Sequence, residues 1–182
     1  MSFKVEHDYR FDAAGKLDAD DWLLIARAEL RADFTLDAAL ADEMARRYFG
    51  IVARSSMIPL NIASDAQGVR YLAPFGKTAL VFAEPERIVD AQRAETSWRI
   101  AGGFMLAHNV NYGGRFYIGA EWDKRGALKL YSSIRRYPPR LINWFGVTRG
   151  ITVYHRTQGV MHKQTAAKFL NEIARQITHA AL

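Results

Sequence analysis

The chain of 182 residues contains no cysteine. This excludes disulfides, thiolate nucleophiles, zinc fingers and cysteine-bound iron–sulfur clusters. Long hydrophobic runs are missing too. The longest uncharged apolar stretches, residues 22–26 and 100–107, are far shorter than the ~20 residues that a membrane-spanning helix needs. Because the charged, alternating N-terminus also lacks the pattern of a signal peptide, we expect a soluble, cytoplasmic protein with no transmembrane segment.

The sequence also lacks the short motifs of several catalytic and cofactor sites. Residues 76–78 (Gly-Lys-Thr) are similar to the end of a phosphate-binding loop, but the required first glycine is replaced by Tyr71. No Gly-x-Ser-x-Gly, His-Glu-x-x-His or dinucleotide-binding pattern is present. In a helix, His155 and His162 would lie two turns or ~10.5 Å apart, too far for two ligands of one metal ion. We therefore expect neither a metal site nor a cofactor.

The composition is that of an ordinary globular protein, with 49% hydrophobic and 24% charged residues. A chain of this size buries about 70% of its surface on folding, so we expect a single domain over residues 1–182. Charge is distributed unevenly: residues 1–91 carry −4 and residues 92–182 carry +10. Since no Lys/Arg run exceeds two residues and no nucleic-acid motif accompanies the charge, we expect no nucleic-acid partner.

The basic half contains one group of arginines that could contact an anionic surface weakly. It consists of Arg135, Arg136, Arg140 and Arg149, with Arg156 beyond them. Such charges are usually a solvated face. The aromatic pair Trp144-Phe145 between Arg140 and Arg149 is unusual there, because it could gate a cavity or meet a membrane.

Periodicity predicts a mixed α+β chain. Strict alternation over residues 25–34 predicts a half-buried strand, and spacing over 36–52 predicts a helix. A further strand over residues 3–11, with a turn near Gly15, would form an additional N-terminal element within residues 1–21. Shorter strands are expected near 57–63, 69–74, 78–84 and 88–94, with Pro85 as a breaker.

Two hairpins can be aligned residue by residue. Pairing residues 115–123 with 127–135 sets Glu121 opposite Lys129 and Phe116 opposite Ile134. Extending the alignment backwards, so that 107 pairs with 115, sets Arg99 opposite Asp123. In both hairpins the even positions form one apolar face and the odd positions a solvated one. Three glycines near one another in this register (Gly102, Gly103 and Gly119) then indicate a strongly curved sheet.

The C-terminal residues 151–182 are predicted to form one long helix, because apolar residues recur along one side. On that side, His155, Gln158 and His162 share a stripe that continues as purely apolar further on. Polar groups in an apolar interior require hydrogen bonds. They either line a cavity, where His155 or His162 could act as an acid or base, or simply bond to the backbone and to buried tyrosines.

The order strand, helix, antiparallel strands and long C-terminal helix resembles the helix-grip fold of START and polyketide-cyclase-like (SRPBCC) proteins. The residues most similar to that group are Trp98-Arg99-Ile100 with Gly102-Gly103, and Tyr154, Gln158, His162 and Phe169. The resemblance covers about residues 22–182 and implies a curved antiparallel sheet of six to seven strands wrapped around the C-terminal helix, with an apolar cavity between them. The superfamily contains lipid carriers, receptors and cyclases, so the fold alone does not name a reaction.

Three functions follow from these features. The first is binding of a small apolar or amphipathic molecule in a cavity lined by Trp98, Phe104, Phe116, Ile118, Trp122, Ile134, His155, Gln158 and His162. The second is a cyclase, dehydratase or isomerase in which His155 or His162 is the general base. The third is an interaction module that uses the arginine-rich surface. An ordinary packed core is the alternative for the aromatic set.

Overall fold

The computed structural model describes residues 2–56, 59–107 and 113–179. Within them, eight strands are β1 (Glu6–Phe11), β2 (Leu17–Ile25), β3 (Asn61–Asp65), β4 (Gly68–Leu72), β5 (Thr78–Val89), β6 (Arg93–Gly102), β7 (Arg115–Trp122) and β8 (Leu128–Tyr137). They form one open antiparallel sheet in the order β1-β2-β8-β7-β6-β5-β4-β3. The predicted α+β class with an antiparallel sheet is confirmed, and the N-terminal strand pairs with β2 across the turn that contains Gly15.

Four helices accompany the sheet in the described ranges: α1 (Ala38–Ser55), α2 (Arg140–Phe145), α3 (Val147–Arg156) and α4 (Gln158–Ile177). Helix α1 begins where the Asp37 carboxylate accepts a hydrogen bond from the Leu40 amide at 2.8 Å, which caps free N–H groups of the first turn. The buried sides of α1 and α4, including Met44, Phe49 and Phe169, pack on the sheet and form the core.

The C-terminal segment is two helices instead of the one predicted. Thr157 separates α3 from α4 with φ −123° and ψ −86°, which is outside the helical range. The predicted stripe of His155, Gln158 and His162 is therefore interrupted, because His155 belongs to α3 and the other two residues belong to α4. Residues 180–182 lie outside the described residues.

The predicted β7–β8 hairpin is confirmed in its register. Glu121 lies opposite Lys129 and Phe116 opposite Ile134, and Lys129 Nζ donates to Glu121 Oε1 at 3.1 Å. The Asp123 carboxylate accepts hydrogen bonds from the Arg125 and Ala127 amides, which fixes the turn. This shows that cross-strand matching was sufficient where the connection is short.

The predicted β6–β7 register is wrong by eight residues. Arg99 lies opposite Arg115 instead of Asp123, because β6 ends at Gly102 and the chain then leaves to pair with β5. The reason lies at Gly103, whose φ is +116° and where a Cβ atom would meet the Ala79 carbonyl oxygen at 2.2 Å. Since a shift of eight preserves parity, the assignment of even positions to the inner face still holds for Trp98, Ile100 and Phe116.

Two further strand predictions are wrong. Strand β2 ends at Ile25, and residues 27–29 form a short 3₁₀ turn, because Glu29 folds back to accept a hydrogen bond from the Ala26 amide. Pro85 does not break a strand: β5 runs through it, and the register shifts between Ala83 and Glu86. Pro85 lies within this bulge, where its missing N–H group is not needed for a hydrogen bond to the neighbouring strand.

Candidate functional site

A cavity of about 230 Å³ lies between the inner face of the sheet, α1 and the first turns of α4. Its wall is mostly apolar, and includes Val52, Leu60, Leu80, Phe82, Ile100, Phe104, Met105, Phe116, Ile134 and Met161. The polar residues that reach it are Tyr48, Tyr71, Tyr137, Tyr154, Gln158, His162 and Thr165, among others. An apolar chamber with a few polar groups is the usual composition of a small-molecule site.

The four tyrosines of the wall fall into two pairs. Tyr71 donates to the Phe49 carbonyl oxygen at 3.1 Å and Tyr137 to the Met105 carbonyl oxygen at 3.3 Å, so both hydroxyls serve the protein. The hydroxyls of Tyr48 and Tyr154 have no hydrogen-bond partner within the part of the chain that the structure describes. Both residues are buried and line the cavity, so a ligand in the cavity could accept hydrogen bonds from both hydroxyls.

Burial keeps these hydroxyls protonated. It is the main cause that raises the pKa of Tyr48 and of Tyr154 well above the ordinary value, and the negative charge of Asp21 raises both further. The charge of one carboxylate thus acts on both hydroxyls. At neutral pH each one is a hydrogen-bond donor to whatever occupies the cavity.

His162 of α4 lines the cavity and is held by a buried carboxylate. Its Nε2 lies 3.0 Å from Asp21 Oδ2, and the Asp21 side chain is 0% exposed. The other ring nitrogen, Nδ1, has no hydrogen-bond partner among the described residues. A neutral imidazole in this geometry donates from Nε2 to the carboxylate and keeps its lone pair on Nδ1.

Asp21 binds two further side chains, both from β1. His7 Nδ1 contacts Asp21 Oδ1, and the Tyr9 hydroxyl donates to the same oxygen at 3.0 Å. Burial raises the pKa of Tyr9 strongly, and the Asp21 charge adds to that shift. The carboxylate therefore joins β1, β2 and α4 at one point, next to the cavity.

Five of the nine predicted ligand-binding residues line the cavity: Phe104, Phe116, Ile134, Gln158 and His162. The other four do not contribute to its wall. The catalytic and binding roles of all nine remain predictions.

The four residues outside the cavity have physical reasons to be there. Ile118 and Trp122 are further along β7, and Trp122 packs against Phe34 with Arg27 over its ring. The Trp98 ring packs against the rings of Phe49 and Phe116. His155 is exposed on α3, where it packs against Phe11, because the break at residue 157 turns it away.

Sequence reasoning missed Asp21 and Tyr48, and it named Tyr154 for its resemblance to the helix-grip group but not as a ligand-binding residue. Asp21 occupies a strand position whose neighbours Ala19 and Leu23 are apolar and fully buried. A carboxylate at an inward position of an alternating strand is the signal that could have identified it.

The arginines predicted as one basic group differ in their contacts. Arg135 is paired with Asp20 at 2.6 Å, and Arg140 donates to the Phe104 carbonyl oxygen at 2.8 Å while lying over the Trp144 ring. Arg149 and Arg156 are exposed and have no ion-pair partner within residues 2–56, 59–107 and 113–179.

Two features are absent from the described residues. No group of three or more His, Asp or Glu side chains could hold a metal ion. No helix is long and apolar enough to cross a membrane.

Comparison with known proteins gives likeness of structure only. No protein-family model and no curated protein matches the sequence. Ms6760 from Mycobacterium smegmatis is 6% identical with a TM-score of 0.44, over 95% of this chain and 99% of its own. A protein from Arthrobacter aurescens is 9% identical with a TM-score of 0.44, over 93% and 91%. DynU16, from the dynemicin biosynthetic locus, is 17% identical with a TM-score of 0.38, over 87% of this chain and 48% of DynU16. At such identities and scores, nothing of these proteins' chemistry transfers to this chain.

Proposed function

We propose that the protein is a single-domain member of the helix-grip superfamily that binds one small, mainly apolar molecule between the sheet and α4. The observation that carries the proposal is the mainly apolar cavity, whose wall includes the buried residues Tyr48 and Tyr154. Neither hydroxyl has a hydrogen-bond partner in the described chain. A ligand oxygen in the cavity could accept hydrogen bonds from both hydroxyls.

The cavity volume limits the size of the molecule. A cavity of ~150 Å³ lined by aliphatic and aromatic groups holds benzene, so about 230 Å³ suits a compound of roughly one to two rings. Larger lipids would require the wall to open.

The polar groups limit its chemistry. Tyr48 and Tyr154 offer hydroxyl donors, and the Gln158 amide offers both a donor and an acceptor. In the described wall no lysine or arginine side chain is present to neutralise an anion. We therefore propose a neutral ligand with an apolar body and a carbonyl or hydroxyl oxygen.

Binding can be tested with 1-indanone, a two-ring ketone that has these properties. Titration followed by protein NMR should show saturable shifts at cavity residues in the wild-type protein. Phe104→Trp adds a larger ring to the wall and should weaken binding at least about tenfold, since it removes ligand space. Phe34→Trp makes the same change beside Trp122, outside the cavity, and should bind as the wild type does. Equal affinity in both variants would contradict the proposed site.

Native mass spectrometry of freshly purified protein tests the same proposal without a chosen probe. A mass excess that disappears on denaturation would reveal the bound molecule and its mass.

A second candidate function is contact with an anionic membrane surface. Its support is the exposure of Trp144, Phe145 and Val147, which are 61%, 48% and 38% exposed at the junction of α2 and α3. Residues 124–171 contain ten Lys/Arg and no Asp or Glu. Exposed aromatics within a stretch of one charge sign suit an interface with anionic lipid headgroups.

Sedimentation with lipid vesicles tests this second candidate. We expect binding to phosphatidylcholine vesicles that contain phosphatidylserine, little binding to phosphatidylcholine alone, and loss of binding at high salt. Trp144→Ala combined with Phe145→Ala should reduce binding about tenfold. Phe75→Ala removes a fully exposed aromatic from the connection between β4 and β5 and serves as the control. Binding that is insensitive to salt, or lowered equally in the control, would count against the candidate.

A further inference from the structure

The buried carboxylate of Asp21 is the least expected group on the inner face. Removing an ionised carboxylate from water is costly unless donors surround it. Asp21 has three such partners, His7, Tyr9 and His162. His7 and Tyr9 do not line the cavity, whereas His162 does. His162 is therefore the partner of Asp21 that a ligand can contact.

The bond to Asp21 selects the tautomer of the neutral His162 ring. With Nε2 bound to the carboxylate at 3.0 Å, the proton of the neutral ring resides on Nε2 and the lone pair on Nδ1. This is the arrangement of a base held by a carboxylate, as in nucleophile–base–acid triads, where the carboxylate orients the imidazole and stabilises the imidazolium. His162 lines the cavity, so the free nitrogen belongs to a residue that a ligand touches.

The same cavity contains donors for a developing negative charge. The hydroxyls of Tyr48 and Tyr154 are protonated and have no partner among the described residues. Preorganised donors in a dry site stabilise an oxyanion far better than water does. A base and two oxyanion donors in one apolar chamber are the components needed to remove a proton next to a carbonyl group.

We propose that His162 removes a proton from the carbon next to the carbonyl group of a small apolar ketone bound in the cavity. Asp21 is the positioning residue. This inference rests on the proposed function, because the ketone must first bind in the cavity. The C–H bond breaks and the proton binds to His162 Nδ1. The electron pair moves into the carbonyl group and gives an enolate oxygen, which accepts hydrogen bonds from Tyr48 and Tyr154. The imidazolium then protonates carbon. Return to the same carbon after the Nδ1 proton has exchanged with solvent gives exchange, and return to a different carbon of a conjugated enolate gives isomerisation. Neither outcome needs a co-reactant other than water.

His7 marks the solvent end of the cluster. Its side chain is 24% exposed, against 12% for His162 and 0% for Asp21. Asp21 thus lies between the more exposed His7 and the cavity-lining His162. His7 completes the surroundings of the carboxylate without touching the ligand.

The experiment measures incorporation of deuterium at the carbon next to the carbonyl of 1-indanone, in D₂O, with the wild-type protein. His162→Gln preserves a donor for Asp21 and should lower the exchange rate by about 10² or more while 1-indanone still binds. His155→Gln changes the exposed histidine of α3 and should exchange at the wild-type rate.

The role of Asp21 has a readout other than rate. Asp21→Asn should shift the His162 ring toward the other tautomer, visible in nitrogen–proton NMR spectra of the imidazole, and lower exchange at least about tenfold. Should that variant not fold, the tautomer of His162 in the wild-type protein decides: a proton on Nδ1 overturns the proposal. Binding without exchange above the buffer rate, or exchange unchanged in His162→Gln, would overturn it and leave the binding function intact. Failure of 1-indanone to bind would overturn both.

Discussion

Asp20 and Asp21 are neighbours on β2, yet their side chains leave the sheet on opposite faces and meet different partners. Asp20 Oδ1 accepts hydrogen bonds from Arg135 and Ser133, both at 2.6 Å, with a side chain that is 35% exposed. Asp21 is fully buried beside the cavity and is surrounded by His7, Tyr9 and His162. One face uses water and arginine to solvate its charge. The other must supply every donor itself.

The outer face shows how the sheet tolerates like charges. Arg99, Arg115 and Arg135 lie opposite one another on β6, β7 and β8, an arrangement that would be repulsive alone. Each receives a carboxylate from another part of the sheet, namely Glu84, Glu86 and Asp20. Of the three aspartates of β2, only Asp21 is buried. The outer face therefore carries several ion pairs, whereas β2 places one carboxylate on the inner face.

The largest expected effect comes from removing each aspartate in turn. Asp21→Ala leaves three donors without their acceptor in a buried site and should lower the free energy of unfolding by about 2–4 kcal/mol. Asp20→Ala removes a half-exposed ion pair and should cost below about 1 kcal/mol. Urea unfolding of the two variants measures the difference. Equal losses would show that the two faces do not differ in how they stabilise charge.

The sequence predicts the two faces better than it predicts the pairing. Alternation on β7 and β8, joined by a turn of three residues, was sufficient to align Glu121 with Lys129. Between β6 and β7 the connection is long, and residues 108–112 of it lie outside the described residues. An alternation with a period of two cannot distinguish registers that differ by an even number of residues. The assignment of residues to the two faces was therefore correct, although the pairing of β6 with β7 was wrong.

The site was predictable in part for a related reason. Phe104, Phe116, Ile134, Gln158 and His162 follow from the face assignment and from helical spacing. His155 was placed with them because the predicted helix was continued through Gly159, which lies two residues after the break at Thr157. Asp21 was missed because no strand was predicted over residues 17–24, so the alternation of buried positions in β2 was not used.

The smallest expected effect concerns the outer face at acid pH. Hydrogen bonds from Arg99 and Arg115 lower the pKa of Glu84 and Glu86 below the ordinary value. A carboxyl group whose pKa is lower in the folded than in the unfolded state adds stability above its unfolded pKa of ~4.3, and that stability is lost as pH falls through the folded pKa. The urea midpoint should therefore fall below about pH 4, and fall less steeply in a Glu84→Gln, Glu86→Gln variant. Both carboxylates are on the surface, so high salt should reduce the difference between variant and wild type. A difference that persists in high salt would mean that the outer pairs, like Asp21 inside, are shielded from water, and the contrast between the faces would be weaker than the structure indicates.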